Sequence, residues 1–435
     1  MKKTVLYTAI ASSLLLASGT LVAEEQKETS AAPAKAKVEK AAEATTGWDY
    51  KGQAVVYYQT VDGYGRGGLF DQGPADANTG WAKAAAGLQL TATNKDVING
   101  FGAGFQLSGI SSVGLEEDVV SGLVQNAGGL NDAAITQAYV TYATGNTSVK
   151  YGRQELPKSL SPFAYTEGWN VFKNTFDALL VVNSDIKDTT LVFASVSAHN
   201  NSVGDLTAFS DFHTAKGPAY MITAQNKSIK GVTLTGSYYT IPDAVWSGGS
   251  YVTDAEAFWL DAGFKVGKAT VGLQGGYIGG LSLAGTDDTT AFGAKVSGKI
   301  DKFSYSLAFS SADDGTLNIA NLAGAGVKSP LYTQGVLNQN VIKRDSDSFK
   351  ATISMDAMGG KFIGAFLTSD MGDTALASTF GLGVGGAGTY NEYEFIYKKS
   401  LAKNIPMFAA FIIQNDDRQV DDYQNFVRVW VKYNF

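Results

Sequence analysis

The chain has 435 residues, is 45% hydrophobic and 17% charged, and carries a formal net charge of −7. That acidic balance excludes the basic face a nucleic-acid binder needs, and the absence of cysteine removes disulfides, thiolate metal sites and cysteine nucleophiles together. Fifty glycines, 21 tyrosines and 23 phenylalanines suit strands and tight turns better than a helical enzyme.

In chain order, residues 1–23 read as a signal peptide. Lys2 and Lys3 precede an apolar stretch that ends in small residues at Ala23, the layout of a cleaved secretory leader. Residues 24–47 are rich in Ala, Lys and Glu and have no aromatic side chain. Such a segment cannot bury a core, so it reads as a periplasmic lead-in.

From Trp48 onward the texture changes. Segments with a period of two recur, separated by turn residues. They begin near 48, 81, 100, 133, 148, 174, 189, 218, 232, 255, 269, 289, 303, 347, 361, 389, 406 and 423. The expected fold is all-β: a transmembrane antiparallel barrel of about 18 strands, with 16 left open because three segments alternate weakly. Short turns such as "KIDK" and "MGGK" alternate with long connections, among them 62–80, 112–132, 156–173, 200–217 and 313–347. That asymmetry is the outer-membrane pattern of short periplasmic turns and long extracellular loops. Trp48, Tyr50, Trp81, Tyr239, Tyr277, Tyr390, Tyr397, Tyr433 and Phe435 fall at strand ends, as a girdle at the membrane interface requires.

Near residue 150 the chain reads "VKYGRQELPKSLSPFAYTEGWNVFKNTFDALLVV". Tyr151-Gly152-Arg153 ending a strand before a long loop resembles Gram-negative porins. The signal peptide, the even strand count and the terminal phenylalanine extend the resemblance over nearly the whole chain. It is nearest to the OprD-like and Campylobacter-type major outer membrane porins. The resemblance implies a water-filled channel for passive diffusion of ions and small hydrophilic solutes, located in the bacterial outer membrane. It implies no reaction, no cofactor and no metal. Its implied partners are outer-membrane lipid and lipopolysaccharide, the barrel assembly machinery and two further copies in a homotrimer. Phe435 then becomes the assembly signal, and residues 156–173 a loop folded into the barrel.

Charges on an inward-folded loop set the field at the narrowest point. Arg153, Glu155, Lys158, Glu167 and Lys173 are the candidates, with Phe163, Tyr165, Trp169 and Phe172 as braces. Arg153 has a parity problem, because it shares a face with Tyr151. Along the wall, alternation nominates Lys83, Lys265, Lys295, Lys350 and Arg428 as lumen-lining cations and Asp261, Asp356, Glu392 and Glu394 as anions. A charge facing lipid at mid-depth costs roughly 2–4 kcal/mol, which favours inward placement. Trp430 is awkward, since parity places a large aromatic ring in the pore.

Two alternatives compete. An outer-membrane rim hydrolase would rest on His199 and His213, with Ser197, Ser202, Ser210 and Asp211 nearby in sequence. An adhesin-type barrel would use the long loops. The glycine-rich "GLGVGGAG" at 381–388 lacks the strand–helix context of a dinucleotide fingerprint and reads as loop. Acidic pairs in the loops, such as Asp313-Asp314, read as solvated charge.

Overall fold

The structure is a computed structural model. It describes residues 47–62, 68–70, 82–115, 120, 122–125, 131–200, 206, 209–211, 217–247, 250–280, 287–321, 328–377, 385–419 and 423–435. The leader and nearly all of the lead-in lie outside these residues, as do Trp81, His213, Ser202 and the acidic run at 116–118.

Among the described residues, twenty strands follow one another: β1 Asp49–Val61, β2 Lys83–Ile98, β3 Phe101–Ser111, β4 Gly122–Leu123, β5 Asn131–Thr144, β6 Thr147–Gln154, β7 Phe176–Asn183, β8 Thr189–Asn200, β9 Phe209–Asp211 and β10 Ala219–Asn226. They continue with β11 Val232–Ser247, β12 Ser250–Val266, β13 Ala269–Gly280, β14 Thr289–Ile300, β15 Phe303–Ala312, β16 Ser346–Ala357, β17 Gly360–Met371, β18 Gly388–Ala402, β19 Ile405–Asp416 and β20 Gln424–Asn434. β4 and β9 are short pieces of two and three residues. The other 18 pair antiparallel, each with its neighbour in chain order, and β1 pairs with β20 from Gln53↔Asn434 to Val61↔Phe426. The sheet is therefore a closed barrel of 18 strands, and closure leaves no open edge.

The side-chain period of two makes the wall two-faced. Outside lie Val56, Leu88, Leu90, Phe105, Leu107, Ile222, Leu260, Leu273, Phe292, Leu307, Ile353 and Phe395, all exposed. Their sequence neighbours inside are buried and often polar: Gln106, Ser108, Thr223, Gln274, Ser306 and Ser348. The inner polar groups bond one another across strands, as in Gln89 to Ser108 at 2.8 Å and Thr136 to Gln106 at 2.8 Å.

The tight turns explain themselves. Asn99-Gly100 and Met358-Gly359 each hold two consecutive positive φ values and close two-residue hairpins, the primed turn whose twist matches its strands. At the same end, Phe101 packs on Tyr142 with ring centroids 4.6 Å apart, Phe362 on Tyr397 at 4.4 Å and Tyr433 on Phe435 at 5.5 Å. Two expected girdle residues are elsewhere. Tyr239 and Tyr390 are buried inside the barrel; position within the alternation, not nearness to a strand end, decides the face, and the neighbouring Tyr238 and Tyr393 are exposed instead.

Candidate functional site

The lumen is narrowed by two long connections that turn inward. The first follows β6. Gly152 has a φ of 119°, and a Cβ there would stand 2.3 Å from the Ala138 carbonyl oxygen, so only glycine fits. Beyond Gln154 the chain crosses the lumen. Phe163 packs edge-on against Tyr239 and Trp259 of β11 and β12, at 5.6 and 5.4 Å. Trp169 meets Phe408 of β19 edge-on at 5.7 Å. The Trp169 carbonyl accepts from Arg428 Nη1 at 2.8 Å and from the Tyr57 hydroxyl at 3.3 Å. Arg428 also stacks on the Trp169 ring, 4.4 Å from its centroid, and donates to Gln59 at 2.7 Å. Phe172 rests against Val55 and the bare backbone of Gly87. Gln125, beside β4, bonds both the N–H and the C=O of Phe172, each at 2.8 Å.

The second inward segment lies between β15 and β16. Residues 328–343 form a strap across the lumen. Leu331, Val336, Leu337, Val341 and Ile342 are buried, packed with wall residues such as Tyr239 and Trp259 on one side and Ile363, Ile396 and Phe408 on the other. Burying five such side chains is worth on the order of 10 kcal/mol as an upper figure, so the strap is a fixed part of the channel. Its backbone is gripped by β18: Glu392 accepts from Val336 N–H at 2.9 Å and Leu337 N–H at 3.0 Å, and Glu394 accepts from Val336 N–H at 2.7 Å. At its other end, Tyr332 donates to Asp261 at 2.6 Å.

The two segments interlock. Asn321 donates to the Tyr165 carbonyl at 2.8 Å and to Glu167 at 3.1 Å, and the Tyr165 hydroxyl donates to the Ser329 carbonyl at 3.2 Å. Lys328 stands 4.0 Å from Glu167. Lys343, 2% exposed, has its pKa pushed down to about 8 by burial, against the opposing pull of Glu167.

The candidates from sequence divide as follows. Glu155 is partly buried and ion-paired with Lys173 at 2.9 Å. Lys158 donates to the Ser329 carbonyl at 3.4 Å, and Glu167 is buried at the junction of loop and strap. Lys83 shares the inner face with Gln89. Asp261 and Lys295 both meet Tyr332, Lys295 at 4.2 Å from the ring centroid. Lys350 points inward, 3.4 Å from Glu394. Glu392 and Glu394 point inward too, but their carboxylates meet strap backbone and are 0% and 3% exposed. Arg153 is the correction. It stays on the outward face with Tyr151, which is 64% exposed, because no bulge shifts β6 against β5 or β7. There its guanidinium forms a bidentate pair with Asp177, at 2.8 and 3.0 Å, and donates to the Ile135 carbonyl at 3.1 Å. Phe435 exchanges backbone bonds with Gly52, at 2.7 and 2.9 Å, and its ring covers that glycine. His199 is buried, 6.5 Å from the Phe176 ring.

Sequence reasoning missed the strap and its grip. The signal was present in the pairing of Glu392 with Glu394 on one face, which is costly in a bare wall and cheap under a row of N–H donors.

Solved structures share this architecture. OccAB3 of Acinetobacter baumannii superposes with a TM-score of 0.68 at 13% identity, covering 89% of this chain and 99% of that one. OccK8 (OprE) of Pseudomonas aeruginosa gives 0.66 at 13% identity, with 89% and 98% covered. OccD3 (OpdP) of the same organism gives 0.64 at 11%, with 89% and 91% covered. The fold is theirs. No protein-family model and no curated protein matches the chain.

Proposed function

We propose that the protein is an outer-membrane channel through which ions and small hydrophilic solutes diffuse passively. The observation that carries this reading is the two-faced wall: an apolar belt outside, a hydrogen-bonded polar surface inside, closed by the β1–β20 seam. A wall of that kind is stable with lipid outside and water within, and 18 strands enclose more space than their own side chains fill. Loop 155–175 and the strap narrow that space, so passage is restricted to small solutes. Nothing in this scheme calls for a bond to be made or broken, so the channel is read as a non-enzyme. The homotrimer, the lipopolysaccharide contact and the barrel assembly machinery implied by the resemblance belong to the same reading.

Planar-bilayer recording tests it. Purified protein should give discrete single-channel steps of small conductance. Insertion without conductance would remove the channel reading and return attention to an adhesin-type barrel. Chemical cross-linking in detergent reads the trimer separately: a ladder ending at three copies supports it, and a single band removes it while leaving the channel untouched.

A further inference from the structure

The lower lumen contains a repeated arrangement that the narrowing loops do not explain. Lysine ammonium groups lie on aromatic faces. Lys150 of β6 stands 3.7 Å from the centroid of Tyr139, and that ring also covers the bare backbone of Gly104. Lys432 of β20 stands 4.8 Å from the centroid of Trp430, which is stacked on Phe408 at 5.4 Å and 6°. Each ring is thus held by a wall partner and also meets an ammonium group.

The inner carboxylates are otherwise engaged. Glu155 is taken by Lys173, Glu167 by Lys328 and Glu394 by Lys350. Glu392 is held by strap backbone, and Asp261 accepts from Tyr332. Lys150 and Lys432 make no ion pair among the described residues. Positive charge outside any ion pair is therefore held at two places on the lower wall, with Glu155, itself paired to Lys173, also attracting Lys150. An aromatic face holds a cation without neutralising it, whereas a carboxylate partner would cancel its field.

Resting on the channel reading, we infer that Tyr139 and Trp430 are positioning residues which hold Lys150 and Lys432 flat against the wall and so make the channel prefer small anions. This gives the lumenal tryptophan a role: it fixes a charge in place while keeping the lysine stem out of the solute's path.

The test is the reversal potential in a potassium chloride gradient, recorded on the full-length protein in planar bilayers. Wild type should pass chloride in preference to potassium. Lys432→Gln should lower the permeability ratio, and Trp430→Leu should lower it by roughly twofold, with Trp430→Phe restoring most of the preference. Tyr139→Leu repeats the test at a site remote from the loop braces. Trp430→Leu added to Lys432→Gln should change the ratio no further. A merely structural role for the rings would change conductance and leave the ratio alone. A cation-preferring wild type, or ring variants that conduct with an unchanged ratio, overturns the inference while sparing the channel. A wild type that never conducts overturns both.

Discussion

Residues 155–175 and residues 328–343 enter the lumen from nearly opposite sides of the barrel and are held by opposite chemistry. The first is held by a cation on its carbonyl: Arg428 donates to the Trp169 oxygen while stacking on the same residue's ring. The second is held by anions on its amides, with Glu392 and Glu394 accepting from Val336 and Leu337. A folded-in loop exposes both kinds of backbone group to a wall that must satisfy them, and this wall grips the first chiefly with a cation and the second chiefly with anions, Lys350 adding a bond to the strap's Gln334 carbonyl at 2.9 Å. The comparison teaches that a charge inside a barrel need not belong to the permeation path.

Removing the anionic grip should have the largest effect. Glu392→Ala with Glu394→Ala strands two buried amides and leaves Lys350 without its carboxylate. The folded state should lose about 3–5 kcal/mol, read by urea unfolding followed on heat-modifiable gel mobility, and single-channel conductance should rise. Arg428→Ala attacks the cationic grip. Two charge-assisted bonds and three aromatic contacts vanish, so a loss of about 2–3 kcal/mol is expected, with noisier channel openings as the tip around Trp169 loosens. If both variants leave conductance at the wild-type value, the two grips do not set the bore.

Acidity probes the junction where the two segments meet. Lys343 has a folded pKa of about 8, below its ordinary 10.5, because burial disfavours its charged form. Below 8 the ammonium is present in both states and folding bears the burial penalty. Between 8 and 10.5 the folded state releases the proton while the unfolded chain keeps it, so stability rises with pH through that window. Lys343→Met should flatten the rise, measured as urea midpoint against pH. The smallest effect belongs to Arg153→Ala. Its pair with Asp177 sits partly exposed on the outer face, one residue from the end of β6, where a stranded charge near the membrane interface costs about 0–1 kcal/mol, and the reversal potential should stay put. A shifted reversal potential would return Arg153 to the lumen.

Much of the wall was legible in the sequence, and the reason is geometric. A two-residue period, turn pairs such as Asn99-Gly100 and an even strand number define a barrel with few alternatives, and the strand starts fall within a few residues of those read from alternation. The strap was not legible, because residues 328–343 have no period and their anchors, Glu392, Glu394 and Asp261, lie on distant strands. Arg153 was misplaced for a related reason. Alternation put it outside with Tyr151, and its place at the mouth of the inward-folded loop argued it inward; Asp177 and the Ile135 carbonyl, which satisfy it outside, are not visible from the neighbouring sequence. Trp430 was placed inside by parity alone, but its partners Phe408 and Lys432 become apparent only once β19 and β20 are in register.

The seam between β1 and β20 has a consequence for the order of events. Gln53 donates to Asn434 across a separation of 381 residues, so joining these edges in a disordered chain costs about 5 kcal/mol of closure entropy. Every other neighbouring pair of wall strands is joined by a turn or a loop and can form from local encounters. The seam therefore gains its favourable entropy only after the hairpins have lined up in a curved sheet, and it zips last. By the same reasoning it is the line along which a pulled or heated cylinder should first unzip.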